Sequence, residues 1–309
     1  MSYKIGVDGG GTKTECVVVD LAGHLVASHV GPGCNPSVIG PERATSLSTG
    51  LLEEMRGRAT AHFSQTHGHA ADPASLISTT LLCMAGHRSF WQDLARNLRG
   101  FGRVTTTGDS RPVLELATAG APGVVLHAGT GSFVAGRAPD GSLHYAGGLG
   151  WRFGDPGSAY DIGRRAVTRG LLELQGWAPP SPLGAAVRRH AEVAADADAG
   201  DVTRSFYQHP DPNRHVAAFA PSVLALAADG VEPARDAVRE SAGGLCDLAV
   251  AMAEKLFPAD QLAGLHAGLS GPILTQPFVH QALAARASFA LVPVAGSPID
   301  GVRRLLAAG

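Results

Sequence analysis

Charge is sparse in this 309-residue chain: Asp, Glu, Lys and Arg make up 17% of it, and their near balance leaves a formal net charge of −2. A chain so close to neutral offers no electrostatic footprint for nucleic acid or for an anionic membrane surface. Cysteine is scarce as well. Cys16, Cys34, Cys83 and Cys246 are scattered, with no CxxC and no zinc spacing, so neither a disulfide framework nor a structural zinc site is expected. No run of 18 apolar residues occurs, so no transmembrane helix is expected. Met1–Gly6 leads straight into a strand pattern, so no signal peptide is expected and the cytoplasm follows by elimination. What the chain does have is 45% hydrophobic residues, enough for a sizeable core in one large or two medium domains, and 40 glycines that cluster in motifs.

The densest cluster is Asp8-Gly9-Gly10-Gly11-Thr12-Lys13-Thr14. Ile5-Gly6-Val7 before it and Cys16-Val17-Val18-Val19-Asp20 after it are short β-branched runs, so the glycines fall in a tight turn between two strands. Glycine lets the backbone approach a ligand closely, and its N–H groups can cradle phosphate oxygens. Thr12 adds a hydroxyl and Lys13 a cation. Asp8, at the strand end, suits a hydrated Mg²⁺, which takes carboxylate oxygen plus water. The alternative is a plain Gly-rich hairpin with Asp8 capping the turn. The segment is neither a Walker A loop nor a dinucleotide fingerprint, because no helix follows.

The same grammar returns in the second half. Val124–Ala128 reads as a buried strand, Gly129-Thr130-Gly131-Ser132 as a turn, and Phe133–Arg137 as the next strand, with a hairpin signal at Pro139-Asp140-Gly141-Ser142. Two such turns point to two related lobes acting on one polyphosphate.

With DGGGTKT (8–14), GTGS (129–132) and GGLGWRFGDPGSAYDIG (147–163), the chain resembles the sugar-kinase branch of the actin and heat-shock ATPase superfamily. Within it the resemblance is to the N-acetylglucosamine and glucosamine kinases, of the BadF/BadG/BcrA/BcrD type. It implies an α/β fold of two ribonuclease H-like (actin-like ATPase) lobes, each with a mixed five-stranded sheet, and a cleft between them. The expected N-terminal lobe is 1–115 plus 296–309; the C-terminal lobe, with a helical insertion, is 116–295.

Hydrophobic patterning fits that plan. Residues 3–31 read as a three-stranded meander. Leu47, Leu51 and Met55 mark a helix from Pro41. A polar loop at 64–73, carrying His67 and His69 beside His62, leads to a strand at 76–82, and these histidines are read as solvated rather than metal-bound. A helix through Phe90, Leu94 and Leu98, a strand Val104–Thr107 and a helix 111–119 complete the first lobe. After Gly157 come a helix at 166–174 and an Ala-rich helical stretch, 183–255, broken at 208–213. Strands are expected at 262–269 and 289–292, then a closing helix at 300–308.

Phosphoryl transfer needs a phosphate cradle, a metal and a base aligned with the acceptor hydroxyl. Gly10, Gly11, Thr12 and Lys13, with Gly129, Thr130 and Gly131, are the expected ATP contacts, and Asp8 the Mg²⁺ ligand. Asp109 lies at a strand end before a helix N-terminus, which favours an ionised carboxylate. The resemblance makes it the base that takes the proton of the sugar's 6-hydroxyl; otherwise it merely caps the helix near 111. The resemblance also assigns sugar contacts to Asn35, Ser132, Gly147, Gly148 and Asp155, and adenosine recognition to the turn at Gly271. Asn35 before Pro36 could instead be turn chemistry, and Asp155 could cap the helix beginning near 158. Where the family usually reads GGWG and GDEGS, this chain has Leu149 and Pro156, so the choice between acetylated and free amine is not carried over.

The expected function is therefore ATP- and Mg²⁺-dependent phosphorylation of N-acetylglucosamine or glucosamine at the 6-hydroxyl. Partners are the sugar and ATP, with no nucleic acid and no membrane; a homodimer is open. The alternatives are a kinase of another hexose or an anhydro-sugar, a non-catalytic sugar sensor, and an ATPase activator of a CoA-ester reductase or dehydratase. The last needs paired cysteines for an iron–sulfur cluster, which this chain does not supply.

Overall fold

The computed structural model describes residues 2–70 and 72–308. The chain divides into two compact units, Met1–Gly120 with Ala295–Gly309, and Ala121–Val294.

The first unit is built on strands β1 (Tyr3–Gly9), β2 (Lys13–Asp20), β3 (Leu25–Pro32), β4 (Ile77–Met84) and β5 (Arg103–Gly108), in the order β3-β2-β1-β4-β5. β2 runs antiparallel to both β1 and β3, while β4 and β5 run parallel to β1 and to each other. The central strand is buried on both faces. Ile5 and Val7 pack with Leu51, Leu52, Met55 and Phe63 of the helix Pro41–His67. On the other face Val302 and Leu306 of the helix Pro298–Ala308 join Val19 and Cys83. A Cβ on Gly6 would stand 2.5 Å from Val302 Cγ1, so this position must be glycine for the last helix to seat. Each fully buried Leu or Phe in these layers contributes on the order of 2 kcal/mol.

The helix Pro41–His67 begins with Pro at its first turn and ends at Gly68, whose φ of 73° is the left-handed cap and whose N–H reaches Ser64 O. It therefore runs through His67, where the sequence pattern places a polar loop from residue 64. The Phe63 and His67 rings stack at 4.3 Å and carry the last turn. His62 Nδ1 instead pairs with the Tyr3 hydroxyl at 2.9 Å. Among the described residues no group of three His, Cys, Asp or Glu is arranged to hold a metal ion.

The second unit repeats the plan. Strands β6 (Gly123–Ala128), β7 (Ser132–Arg137), β8 (Leu143–Gly147), β9 (His266–Ser270) and β10 (Ala290–Pro293) lie in the order β10-β9-β6-β7-β8. Again the first strand is central, its antiparallel meander lies on one side and two parallel strands on the other. Both sheets are thus mixed and five-stranded, as the motifs imply. β9 starts at His266, later than the apolar run from Leu262 suggests, because Ala259–Leu262 closes a helical turn after Pro258. The Ala-rich stretch is several helices, Pro182–His190, Ala199–Gln208, Pro212–Ala218, Ala220–Ala228 and Glu232–Leu256, so it is broken more often than its composition shows. The helix expected at 166 begins earlier, at Ala159, because Ser158 caps it by accepting from Asp161 N. Among the described residues no single helix is long and apolar enough to cross a membrane.

Candidate active site

In the first unit, three parallel strands end side by side: Asp8, Cys83 and Thr107 are in register, as are Gly9, Met84 and Gly108. Ligands of open α/β sheets bind beyond such carboxyl ends. Asp8 and Asp109 leave the sheet there from β1 and β5, two strand spacings or about 10 Å apart. Both carboxyls are perturbed. Burial pushes Asp8 up to about 7, helped by the negative charges of Asp109 and Glu15 and opposed by Lys13. Burial pushes Asp109 up to about 6, while the amides of Asp109 and Ser110 pull the other way. Asp109 stands at the cap position of the helix Ser110–Thr118, yet its side chain makes no capping hydrogen bond.

The β1–β2 turn is held from below. Gly10 N donates to Lys13 O at 2.9 Å, Cys34 N to Gly10 O, and Gly33 N to Thr12 O. A Cβ on Gly33 would lie 2.2 Å from Gly11 O, so the two loops meet backbone to backbone. Gly11 and Thr12 form the exposed tip. Lys13 Nζ bonds Glu15 Oε1 at 2.9 Å, so its charge is shared along the strand. Asn35 Oδ1 accepts from Ser37 N at 2.9 Å and caps the short helix Pro36–Ile39; this turn chemistry occupies the oxygen and leaves the Nδ2 donors. Its neighbour is Gly86, just beyond β4, where a Cβ would come within 2.5 Å of Asn35 Oδ1.

In the second unit, Gly129–Gly131 bridges β6 and β7, with Gly131 exposed at the tip. Gly129 N closes on Gly131 O at 2.8 Å, and Gly129 O accepts from Ala159 N at the start of the following helix. Gly271, after β9, lies against β6: with φ at 94° and only 2.1 Å from a Cβ to Ala128 O, it admits no side chain. The 129–131 turn and the Gly271 turn are thus neighbours. His127 joins them, with Nδ1 3.1 Å from Ser270 Oγ and its ring stacked on Phe133. Burial pulls His127 down to about 4, so it is neutral there. The His127–Ser270 contact, which ties the strand before GTGS to the Gly271 turn, is not evident in the sequence, where the two residues stand 143 apart.

The segment 147–158 is stitched to the same turn. Gly148 N donates to Ser132 O at 3.0 Å, and the buried Ser132 hydroxyl donates to Pro156 O at 2.7 Å. Asp155 is buried and does not cap the helix, a role Ser158 fills. Its Oδ1 accepts from Gly150 N at 3.0 Å, and its Oδ2 would be 3.3 Å from a Cβ on Gly131. Glycines with φ between 62° and 94° at 147, 148, 150 and 154 shape the loop between. That loop exposes Leu149, Trp151 and Phe153, with the Arg152 guanidinium over the Trp151 ring at 5.1 Å.

Donor chemistry decides which metal such residues would suit. A buried carboxylate whose proton affinity is raised by burial and by a neighbouring carboxylate, as Asp8 is, is relieved by a cation, and oxygen ligands select a hard one.

Two copies of this five-stranded sheet, each with a Gly-rich turn at its central strand, define the actin-like ATPase fold. The chain belongs to the BadF/BadG/BcrA/BcrD ATPase family, whose sequence profile matches residues 5–264. It is similar to the N-acetylmuramic acid/N-acetylglucosamine kinase of Clostridium acetobutylicum, with 30% identity over 171 residues, covering 55% of this chain and 54% of that one. It is also similar to the glucosamine kinase GspK of Vibrio cholerae, with 27% identity over 194 residues and 62% of each chain covered. The chain thus spans between about half and under two thirds of the length of these curated relatives. Among solved structures, a candidate N-acetylglucosamine kinase of Chromobacterium violaceum superposes with a TM-score of 0.72 at 27% identity over 99% of both chains. A glucokinase of Streptomyces griseus, at 14% identity and a TM-score of 0.55 over 99% of this chain and 98% of that one, shares the fold.

Proposed function

We propose that this protein is an ATP-dependent amino-sugar kinase that phosphorylates the 6-hydroxyl of N-acetylglucosamine or glucosamine. The observation that carries the reading is Asp109: a carboxylate at the end of a parallel strand, free of capping duty, with its pKa raised to about 6. Such a group is ionised at neutral pH and still basic enough to take a proton.

In this reading Asp109 accepts the hydroxyl proton as the sugar oxygen bonds to the γ-phosphorus and the bond to the ADP oxygen breaks. The proposed phosphate contacts, through backbone N–H groups and side-chain donors, are Gly10, Gly11, Thr12 and Lys13 in the first unit, and Gly129, Thr130 and Gly131 in the second. The turn at Gly271, seated by its backbone against Ala128, is the proposed adenosine contact. Asp8 would hold Mg²⁺, which neutralises phosphate charge when bound. Asn35 Nδ2 in the first unit, and the 147–148 backbone, Ser132 and Asp155 in the second, are the proposed sugar contacts. ATP and the sugar are the small-molecule partners.

The activator reading needs thiols that reach an interface, and all four cysteines are buried free thiols. A coupled ADP-release assay with Mg·ATP against glucosamine, N-acetylglucosamine, N-acetylmuramic acid, glucose and no sugar tests the proposal. A rate dependent on one amino sugar is expected. Equal ADP release with and without sugar refutes it.

A further inference from the structure

We infer that Ser241, on the long helix Glu232–Leu256, is a positioning residue for the acceptor half of the site; the inference rests on the kinase reading above. The turn Gly154–Ser158, which presents Asp155, is gripped from two sides. The sheet side is the Ser132 hydroxyl on Pro156 O and the Ala159 N–H on Gly129 O. The other side is the long helix. The Ser241 hydroxyl accepts from Gly157 N at 2.9 Å and donates to Asp161 Oδ2 at 2.7 Å, and it is fully buried. Only a group that accepts and donates at once can join an N–H to a carboxylate.

The rest of the grip is steric and ionic. Gly157 has φ at 86°, and a Cβ there would lie 2.9 Å from Leu245 Cδ2; a Cβ on Gly244 would lie 3.0 Å from Pro156 Cβ. One turn of the long helix therefore touches the site turn at three points, Ser241, Gly244 and Leu245. Asp161 is fixed in its turn by Arg164 and Arg165, each at 2.8 Å. Glu240, the neighbour of Ser241, takes Arg165 and Arg169 at 2.9 and 2.7 Å and keeps the helix in register with Ala159–Leu174. None of these groups needs to touch a reactant. Removing the Ser241 hydroxyl leaves the Gly157 N–H buried without an acceptor, and the turn that carries Asp155 loses its anchor.

The experiment is a kcat and KM comparison of the full chain with Ser241→Ala, Ser241→Thr and Gly244→Ala, varying the sugar and Mg·ATP separately. Ser241→Ala should raise the sugar KM about 10-fold, with the ATP KM within about twofold. Ser241→Thr, which keeps the hydroxyl, should recover most of that loss. Gly244→Ala presses on Pro156 without deleting a hydrogen bond and should also raise the sugar KM selectively. That variant answers the question even if Ser241→Ala does not fold. Wild-type protein without sugar-dependent turnover overturns the kinase reading and this inference with it. An active wild type whose variants leave the sugar KM unchanged, or move both KM values together, overturns the inference alone.

Discussion

Replacing Asp8 by Asn should separate the stability of the first unit from its function. Asp8 has an ordinary pKa of 3.8 and is pushed up to about 7 in the fold, by burial first and by Asp109 and Glu15 next. The folded protein therefore binds that proton more tightly than the unfolded chain. Between pH 3.8 and about 7 the native state holds more protons, so stability falls as pH rises, and above about 7 the whole penalty is present. At about 1.4 kcal/mol per pH unit the upper bound is about 4 kcal/mol; water reaching the partly exposed carboxylate reduces this to about 1–3 kcal/mol. Asn keeps the shape and removes the charge. Thermal unfolding of ligand-free protein at pH 8 should then show Asp8→Asn more stable than wild type by about 2–8 °C. The two curves should converge near pH 4. The same variant should lose sugar-dependent ADP release by at least about 100-fold, because the carboxylate proposed to hold Mg²⁺ against the phosphates is gone. Equal melting temperatures at pH 8, or a gap that grows on acidification, would refute the electrostatic account of the Asp8–Asp109 pair.

Asp109→Asn should lower kcat by about 10²–10⁴-fold with little change in the ATP KM, and wild-type kcat/KM should fall as pH drops through about 6, read by the coupled assay. Gly271→Ala forces a Cβ to within 2.1 Å of Ala128 O at a φ of 94°; it should destabilise the second unit by about 2 kcal/mol or more in denaturant melts and raise the ATP KM. His190, His209 and His215 stack face to face, with centroids 4.4 and 4.2 Å apart, and burial and the two neighbours hold His215 below its ordinary pKa. The fold thus resists protonation of His215, so its contribution is present above about pH 6.5 and is lost on acidification. His215→Phe should make the melting temperature less sensitive between pH 7 and 5.

Much of the architecture was visible in the chain because it is written in local patterns. The β-branched runs around Gly9–Gly11 and Gly129–Gly131 give strand, turn and strand without any knowledge of the core. The repeat of that grammar gives the two sheets. Boundaries failed where a tertiary contact or a cap outweighed composition. The Phe63–His67 stack and Gly68 extend a helix through polar residues. Ser158 starts a helix that begins, in periodicity, at Ala166. At the site, residue types were legible and their commitments were not. The turn chemistry of Asn35 before Pro36 was legible, but nothing local announces that Lys13 leans on Glu15 or that the Ser132 hydroxyl is turned to Pro156. Ser241 is invisible in sequence: it is one serine in an Ala-rich helix, and its partners are 80 and 84 residues away.

The return of the last helix to the first sheet sets an order of events during synthesis. Val302 and Leu306 fill the space above Gly6 and cover Val19 and Cys83, and Gly301 sits with Pro112 O where any Cβ would be, 2.1 Å away. A chain emerging from its N-terminus completes every strand of the first sheet nearly 200 residues before this cover exists. The second unit, contiguous from Ala121 to Val294, has all its own parts before then. The nascent first sheet thus waits with one apolar face bare while its successor folds, and that face is where a chaperone, or a neighbouring copy, has its longest opportunity to bind.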